Sequence, residues 1–538
     1  MSTRARSAVV ALLFIGLTAA MTWPQAAHLG TRVYDNDDPL LSIWRLSWIA
    51  HILPKHPLEI FNGNIFHPEP RTLAYSDATL LQGLVTAPWI WAGGSNITAY
   101  NAILLLSIAL SGWAMWRYAW YLTEHQAGAL LAGIIFAFVP FRFDHYHHLE
   151  LQATIFLPLT LLYFERALAS GSRQDVWLMA AAFVAQVLSG IYYAIFLATV
   201  LVPTAIVRVW RAGAPARSAF LTGGIPAAAV ALVIVLPYAL TYLLNRGTLG
   251  ERLDREVMLY SATLKNYVAT TKDNVLHGAS AVYGQPERYL FPGFAALVLA
   301  ASGLHRMDWR RATLVAVAVG GFLISLGLNS PLYEPLRAVL LPYRGLRAPA
   351  RASILLYLAL AALAAFGWKR LMRGRSAPIV TAATVITAAV LLTEYRTRLD
   401  SWLTLPVRTP EVYTWLAQQP RLVVAEVPFA RADALHAISD GLYMFHSTRH
   451  WQPIVNGYSG FFPKTFIELA EQTAHFPDDD SIAYLKQRGV DVIVVHEALL
   501  PPGSFGEMTV RLLARPDIEP IAQFQEARGT DAVFRLRP

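Results

Sequence analysis
The chain has 538 residues, 55% of them hydrophobic and only 15% charged, with a mean hydropathy of +0.40, a balance that excludes an ordinary soluble domain and makes lipid the solvent. The net charge of +8 sits in short basic links between apolar segments, which argues for a membrane protein with a positive-inside bias and against a nucleic-acid partner. Cysteine is absent, so disulfides, cysteine-ligated zinc and thiol nucleophiles are excluded.

Residues 1 to 29 carry Arg4 and Arg6, an apolar run and Trp23-Pro24. A signal peptide is one reading; the length of the run and the interfacial Trp favour a retained first span. Further spans are predicted near 97 to 121, 127 to 141, 151 to 169, 176 to 190, 191 to 209, 218 to 244, 289 to 304, 312 to 328, 352 to 370 and 377 to 394, about eleven crossings in all, each near the roughly 20 residues a hydrocarbon core requires. The stretch 176 to 209 is too long for one crossing, and Ser189-Gly190 supplies a turn in its middle. The segment 78 to 93 is apolar but short; read as a crossing it would invert every later loop, so it is expected to lie in or dip into the outer interface. The links holding Arg166 and Arg173, Arg208 to Arg217, Arg306 to Arg311 and Lys369 to Arg375 then share the cytoplasmic side with the N-terminus.

That parity gathers four polar stretches on the outer face. The first, Tyr34 to Pro39, contains Asp35, Asp37 and Asp38; three carboxylates so close repel, so a cation, an Arg or a raised pKa is expected to relieve them. Its bland reading is a helix start with Asp38 as the cap and Pro39 in the first turn. The second, Asp144 to Glu150, packs Asp144, His145, His147, His148 and Glu150 into seven residues, donors that suit a divalent cation such as Mg or Mn, or the orientation of a carboxylate base. His145 and His148 are three apart and share a face of any helical loop. The third is the loop from about 245 to 288, with Lys265 and Lys272. The fourth places Arg344, Arg347 and Arg351 just before a span, where planar, permanently charged guanidinium groups suit a phosphate; anchoring to lipid headgroups is the structural alternative.

From about residue 395 the pattern becomes that of a soluble α/β domain. Strand-like runs at 422 to 429 and 490 to 495 alternate with helical stretches at 411 to 418 and 464 to 475, before a terminal hairpin over 518 to 536. The division expected is thus a transmembrane domain, 1 to 394, and an extracytoplasmic domain, 395 to 538. Trp451, Asn456 and Tyr458 lie in an aromatic and amide-rich loop able to bind a sugar or simply to form a loop. No P-loop or GxGxxG motif is present.

The arrangement resembles the GT-C class of membrane glycosyltransferases, which includes protein O-mannosyltransferases, oligosaccharyltransferases and lipid A aminoarabinose transferases. The resemblance rests on the acidic motif after the first span, the acidic and histidine motif in a later outer loop, the late arginines and the C-terminal soluble domain. Asp38-Pro39-Leu40-Leu41 with Trp44 and Trp48, His148-Leu149 before Pro158-Leu159, and Arg347-Ala348-Pro349-Ala350-Arg351 further resemble a YfhO-like group of bacterial membrane proteins. Asp144-His145 and His147-His148 stand where oligosaccharyltransferases carry a two-acid motif. The resemblance implies a polytopic inner-membrane enzyme that moves a sugar from a polyprenyl-phosphate donor to a glycan, lipid or protein acceptor hydroxyl, with inversion in one displacement. Asp38, aided by Asp35 and Asp37, would be the base, and the arginines with Lys265 would hold the phosphate. A flippase of lipid-linked saccharides and a non-catalytic envelope protein are the alternatives.

Overall fold
The computed structural model describes residues 2–35, 37–406, 408–435 and 438–537; Asn36 of the acidic motif lies outside the described residues. Every predicted span contains a helix. Among the described residues seven helical segments are long and apolar enough to cross a bilayer: Thr3–Met21, Asn96–Thr123, Gln126–Asp144, Ile191–Trp210, Ala214–Leu249, Pro349–Leu371 and Ala377–Glu394. The helices at the other four predicted spans, Phe156–Ser170, Arg173–Ser189, Phe294–Gly303 and Trp309–Ser325, have 10 to 17 residues. The first helix ends at Met21, ahead of Trp23-Pro24, so residues 22 to 29 add nothing to it. The break between Arg173–Ser189 and Ile191–Trp210 falls on Gly190, as expected. A side chain there would meet the Glu150 carbonyl at 2.8 Å.

The chain forms two compact units. The first comprises Met1–His28, Asn101–Ala239 and Glu251–Asp400. At its centre is the helix Ser353–Leu371, whose small residues let neighbouring backbones approach closely, the usual device for helix contact in lipid. Added Cβ atoms at Gly303 and Gly367 would stand 2.1 Å from the Leu363 carbonyl and 1.9 Å from the Leu299 carbonyl, so neither position tolerates a side chain without a backbone shift. By contrast Ile379, Val385, Ile386 and Val390 on the last helix are exposed, as are Val202, Ile206, Leu232 and Val233. Apolar outward faces of this extent are those of a multi-pass protein solvated by lipid.

The second unit comprises Leu29–Tyr100, Leu240–Gly250 and Ser401–Pro538, so the segment after the first helix folds with the C-terminal region. Strand β1 (Arg32–Tyr34) pairs antiparallel with β2 (Trp402–Thr404). A four-stranded sheet holds β3 (Val424–Val427), β4 (Val492–His496), β5 (Ile518–Glu526) and β6 (Gly529–Leu536) in the order β3-β4-β6-β5, with β3 and β4 parallel. All five β4 residues are buried, as an inner strand covered on both faces requires. The segment Asn64–His67 is stitched to the C-terminal loop: the Ile454 N–H donates to the Asn64 carbonyl at 2.8 Å, and the Phe66 N–H to the Asn456 carbonyl at 3.0 Å. The helix Leu80–Trp91, within the doubtful 78 to 93 segment, has 12 residues, about 18 Å of rise, short of the roughly 30 Å core. Its Leu84, Val85, Trp89 and Trp91 are exposed.

Candidate active site
In the first unit the helix Gln126–Phe138 stops before Pro140, which has no N–H to continue the ladder. Two four-residue helical turns follow, Phe141–Asp144 and Leu149–Gln152. Arg142, buried, fixes this bend: its Nε donates to the Phe136 carbonyl at 2.7 Å, its Nη1 to the Gln152 carbonyl and side chain at 3.2 Å each, and its Nη2 to the Thr154 hydroxyl. Gln152 Nε2 in turn donates to the Arg142 and His145 carbonyls at 2.9 and 2.7 Å. The loop carrying the histidines is therefore rigid, the state a preorganised site requires.

Onto this bend comes a residue that sequence reasoning passed over. Glu287, at φ +72°, donates its backbone N–H to Asp144 Oδ2 at 2.9 Å. Its carboxylate accepts two bonds from Arg351, from Nε at 2.8 Å and from Nη2. His145 Nε2 lies 3.7 Å from Glu287 and 3.9 Å from Asp144, and neither ring nitrogen of His145 has a hydrogen-bond partner among the described residues. Burial pushes the Glu287 carboxyl up, but the Arg351 guanidinium more than offsets this and holds it well below the usual carboxylate range. Burial also keeps the His145 imidazole neutral, its pKa well below the ordinary value. The rings of His145 and His148 lie 5.5 Å apart, and those of His147 and His148 4.1 Å. Glu150 is buried.

The arginines divide. Arg351 is 5% exposed and sits over the Tyr192 ring at 5.2 Å. Arg347 is 24% exposed, lies over the Tyr260 ring at 5.1 Å, and has its Nη2 3.8 Å from Glu287. Its backbone N–H donates to the Tyr192 hydroxyl at 2.9 Å. Arg344 does not join them: its Nε donates to the Arg337 carbonyl at 3.1 Å and its Nη1 is 3.5 Å from Glu251, so it braces its own loop rather than completing a phosphate cradle. No single helix carries the three: the chain is broken at Leu346, an extended residue between two short 3₁₀ turns. Lys265 and Lys272 are exposed, and neither is brought to the Glu287 group by a described contact. No motif announces Glu287, Tyr192 or Tyr260; each becomes visible only when the loops meet.

In the second unit the helix Asp38–Ile52 begins at Asp38 with Pro39 in its first turn. The cap position is Asp37, whose side chain makes no capping bond, so the expected helix start at Asp38-Pro39 holds while Asp38 is its first residue and not its cap. Asp35 has φ +71°, a region that Asp tolerates better than most residues, and its N–H donates to the Ser401 carbonyl at 2.7 Å. Burial, then the charges of Asp35 and Asp38, raise the Asp37 pKa to about 6. A raised pKa at Asp37 is one of the reliefs expected for the acidic run.

Two of the sugar-binding candidates are corrected. Asn456 is fully buried, accepting from the Glu426 N–H at 2.8 Å and donating to the Glu426 carbonyl at 3.0 Å, so its amide holds β3 instead of a ligand. Tyr458 is 8% exposed and its ring meets Phe462 edge to face at 6.3 Å, so it is packed into the unit instead of presented to a sugar. Trp451 remains partly exposed, at φ +56°, with its ring stacked on His51 at 4.2 Å.

The same unit buries an ion triad that no motif marked. His496 on β4 bonds Glu426 on β3 through Nε2 at 2.5 Å and Asp531 on β6 through Nδ1 at 2.8 Å. Burial alone would lower its pKa, but the two carboxylates raise it to about 9. A histidine raised in the folded state stabilises it fully below the unfolded value of about 6.5 and loses that contribution as pH rises through about 9. Thermal unfolding of the purified chain, followed by tryptophan fluorescence, is therefore expected to show a falling midpoint for this unit between pH 7 and 10. His496→Gln should flatten that slope and destabilise by about 3–5 kcal/mol, because two buried carboxylates lose their counter-charge.

With fold and geometry in view, the fold is GT-C-like, a likeness carried by solved structures. No protein-family model matches the chain, and no curated protein matches it. Among solved structures it is similar to the arabinofuranosyltransferase AftD from Mycobacteria, with a TM-score of 0.66 and 17% identity over all of this chain and 40% of that one. The oligosaccharyltransferase of Archaeoglobus fulgidus in its apo form gives a TM-score of 0.52 and 10% identity over 94% of this chain and 71% of that one. ArnT from Cupriavidus metallidurans, also apo, gives 0.50 and 12% over 99% and 98%. The chain spans about 40% of the length of the AftD chain it matches. At such identities the likeness establishes the fold.

Proposed function
We propose that this chain is a glycosyltransferase that moves a sugar from a polyprenyl-phosphate-linked donor to an acceptor hydroxyl on the outer side of the bacterial inner membrane, in one inverting displacement. The observation that carries the reading is the Arg347 guanidinium beside the buried Arg351–Glu287 pair, which Asp144 joins through the Glu287 N–H at the start of a span, in a fold the chain has in common with three glycosyltransferases. Cations fixed at the water-lipid boundary suit an anionic lipid headgroup and would stabilise the departing phosphate as charge develops on it. Asp38 is assigned as the base that takes the proton of the attacking hydroxyl, with Asp35 and Asp37 tuning its charge. Asp144, His145, His148 and Glu150 are assigned to orienting groups around the reaction.

A divalent cation, Mg²⁺ or Mn²⁺, remains part of the proposal. Glu287 is not offered as its ligand, because Arg351 already neutralises that carboxylate. Loss of transfer on chelation, restored by Mn²⁺, would support a cation; full activity in chelator would remove it from the mechanism.

The reading is tested by comparing envelope glycans of a deletion strain and its parent by mass spectrometry. Loss of one sugar, restored by the wild-type gene and not by the Asp38→Asn variant, is expected; identical glycans would sink the assignment. The orientation has its own check. A reporter fused after Arg375 should report cytoplasm, and one fused after Tyr395 the outer side, as the basic links predict. The reverse pair would place the arginines on the face supplied with nucleotide sugars and end the lipid-donor reading.

A further inference from the structure
The two arginines of the candidate site differ in what occupies them. Among the described residues both hydrogen bonds of the Arg351 guanidinium go to one carboxylate, and the side chain is 5% exposed. The Arg347 guanidinium makes no hydrogen bond among the described residues, its nearest carboxylate oxygen is 3.8 Å away, and it is the more exposed of the two. Tyr192 braces both, with its hydroxyl on the Arg347 backbone and its ring under Arg351. A guanidinium bound at two points by a buried carboxylate has little left for a second anion, whereas one resting on an aromatic face keeps its donors.

The geometry points to a division of labour set by Glu287: this residue is a positioning residue that retires Arg351 from ligand binding and leaves Arg347 as the contact for the donor's phosphate. The inference rests on the lipid-phosphate reading above and deepens it. Glu287 fits the role because one residue joins the two loops, through its backbone N–H to Asp144 and through its carboxylate to Arg351. Its second neighbour, Arg347, lies just beyond hydrogen-bond range. Without Arg351, the buried Glu287 charge has Arg347 as its nearest permanent cation, the slightly closer His145 imidazole being kept neutral by burial, and would draw Arg347 away from the ligand.

The probe is farnesyl phosphate, with farnesol as the uncharged control, binding to full-length protein in detergent. Wild type should prefer the phosphate. Arg347→Gln should lose at least about tenfold in affinity for farnesyl phosphate and nothing for farnesol. Arg351→Gln should lose a similar amount, and the double variant Glu287→Gln/Arg351→Gln should recover most of that loss, because no stray carboxylate then competes for Arg347. A merely structural role for Glu287 would give no such recovery, and a double variant no better than Arg351→Gln overturns the inference. So does an Arg347→Gln protein that binds like wild type while Arg351→Gln does not. Should Arg351→Gln fail to fold, Glu287→Asp serves: one methylene shorter, it should weaken phosphate binding about threefold through a displaced Arg351, and unchanged binding counts against the inference. Equal binding of farnesol and farnesyl phosphate by wild type would instead bring down the lipid-phosphate reading itself.

Discussion

Asp38→Asn is expected to lower sugar transfer by a factor on the order of 10² to 10⁴ while leaving donor binding largely intact. Asparagine keeps the size of the side chain and removes the proton acceptor, so the loss isolates the chemical step. Asp38 opens its helix, and Pro39 beside it fixes the local backbone and gives the carboxylate a defined direction. Burial and its two acidic neighbours raise the Asp37 pKa to about 6, so it takes up a proton as the medium is acidified through that value. Because that pKa is raised, Asp37 favours the folded state most at low pH and loses this contribution as pH rises through about 6. Asp37→Asn should therefore raise the thermal midpoint at pH 7 and cost far less activity than Asp38→Asn. Asp38→Glu should rescue little, since a displacement of about 1 Å is already costly in an oriented site. Transfer at the wild-type rate by Asp38→Asn, with loss in Asp35→Asn or Asp37→Asn, would move the base to that neighbour; full activity in all three would leave the motif without a catalytic part.

The second large effect is expected at the buried pair. Glu287→Ala should destabilise the first unit by about 3–5 kcal/mol, because it leaves the Arg351 guanidinium buried without its counter-charge and so loosens the loop that presents the 287 N–H to Asp144. Glu287→Gln keeps the shape and one acceptor, and should cost less. The measurement is the thermal midpoint in one detergent at constant salt, followed by hydrogen exchange over residues 139 to 154 and 284 to 290. Local loss of protection in both stretches is the signature of an uncoupled pair of loops. A midpoint unchanged in Glu287→Ala would mean that lipid or water reaches Arg351 readily and that the site is wetter than its burial indicates.

Much of this protein was legible from composition and spacing. Lipid leaves a long apolar run one economical solution, the helix, so the segments from Thr3 to Glu394 announce themselves. The turn at Gly190 and the terminal hairpin Ile518–Leu536 were readable for related reasons: glycine marks a break, and alternation marks a strand. The sequence also marked Asp35 to Asp38, the histidine loop and the late arginines, because charge so near a span is costly and rarely idle. It set which groups are available, and hence the class of chemistry they can support.

Only the tertiary structure decided which of these groups meet. Arg344, Arg347 and Arg351 look equivalent along the chain, yet the break at Leu346 sends Arg344 to Arg337 and Glu251 while Arg351 goes to Glu287. Asn456 reads as a ligand amide and is spent on the β3 backbone. Glu287, His496 and Asp531 carry no local signal, because each is an isolated charge whose partner lies at least 35 residues away. A charge pattern in sequence records the residues that must avoid lipid; the pairing of buried charges depends on which loops the helix packing brings within a few ångströms, and that geometry has no periodicity to read.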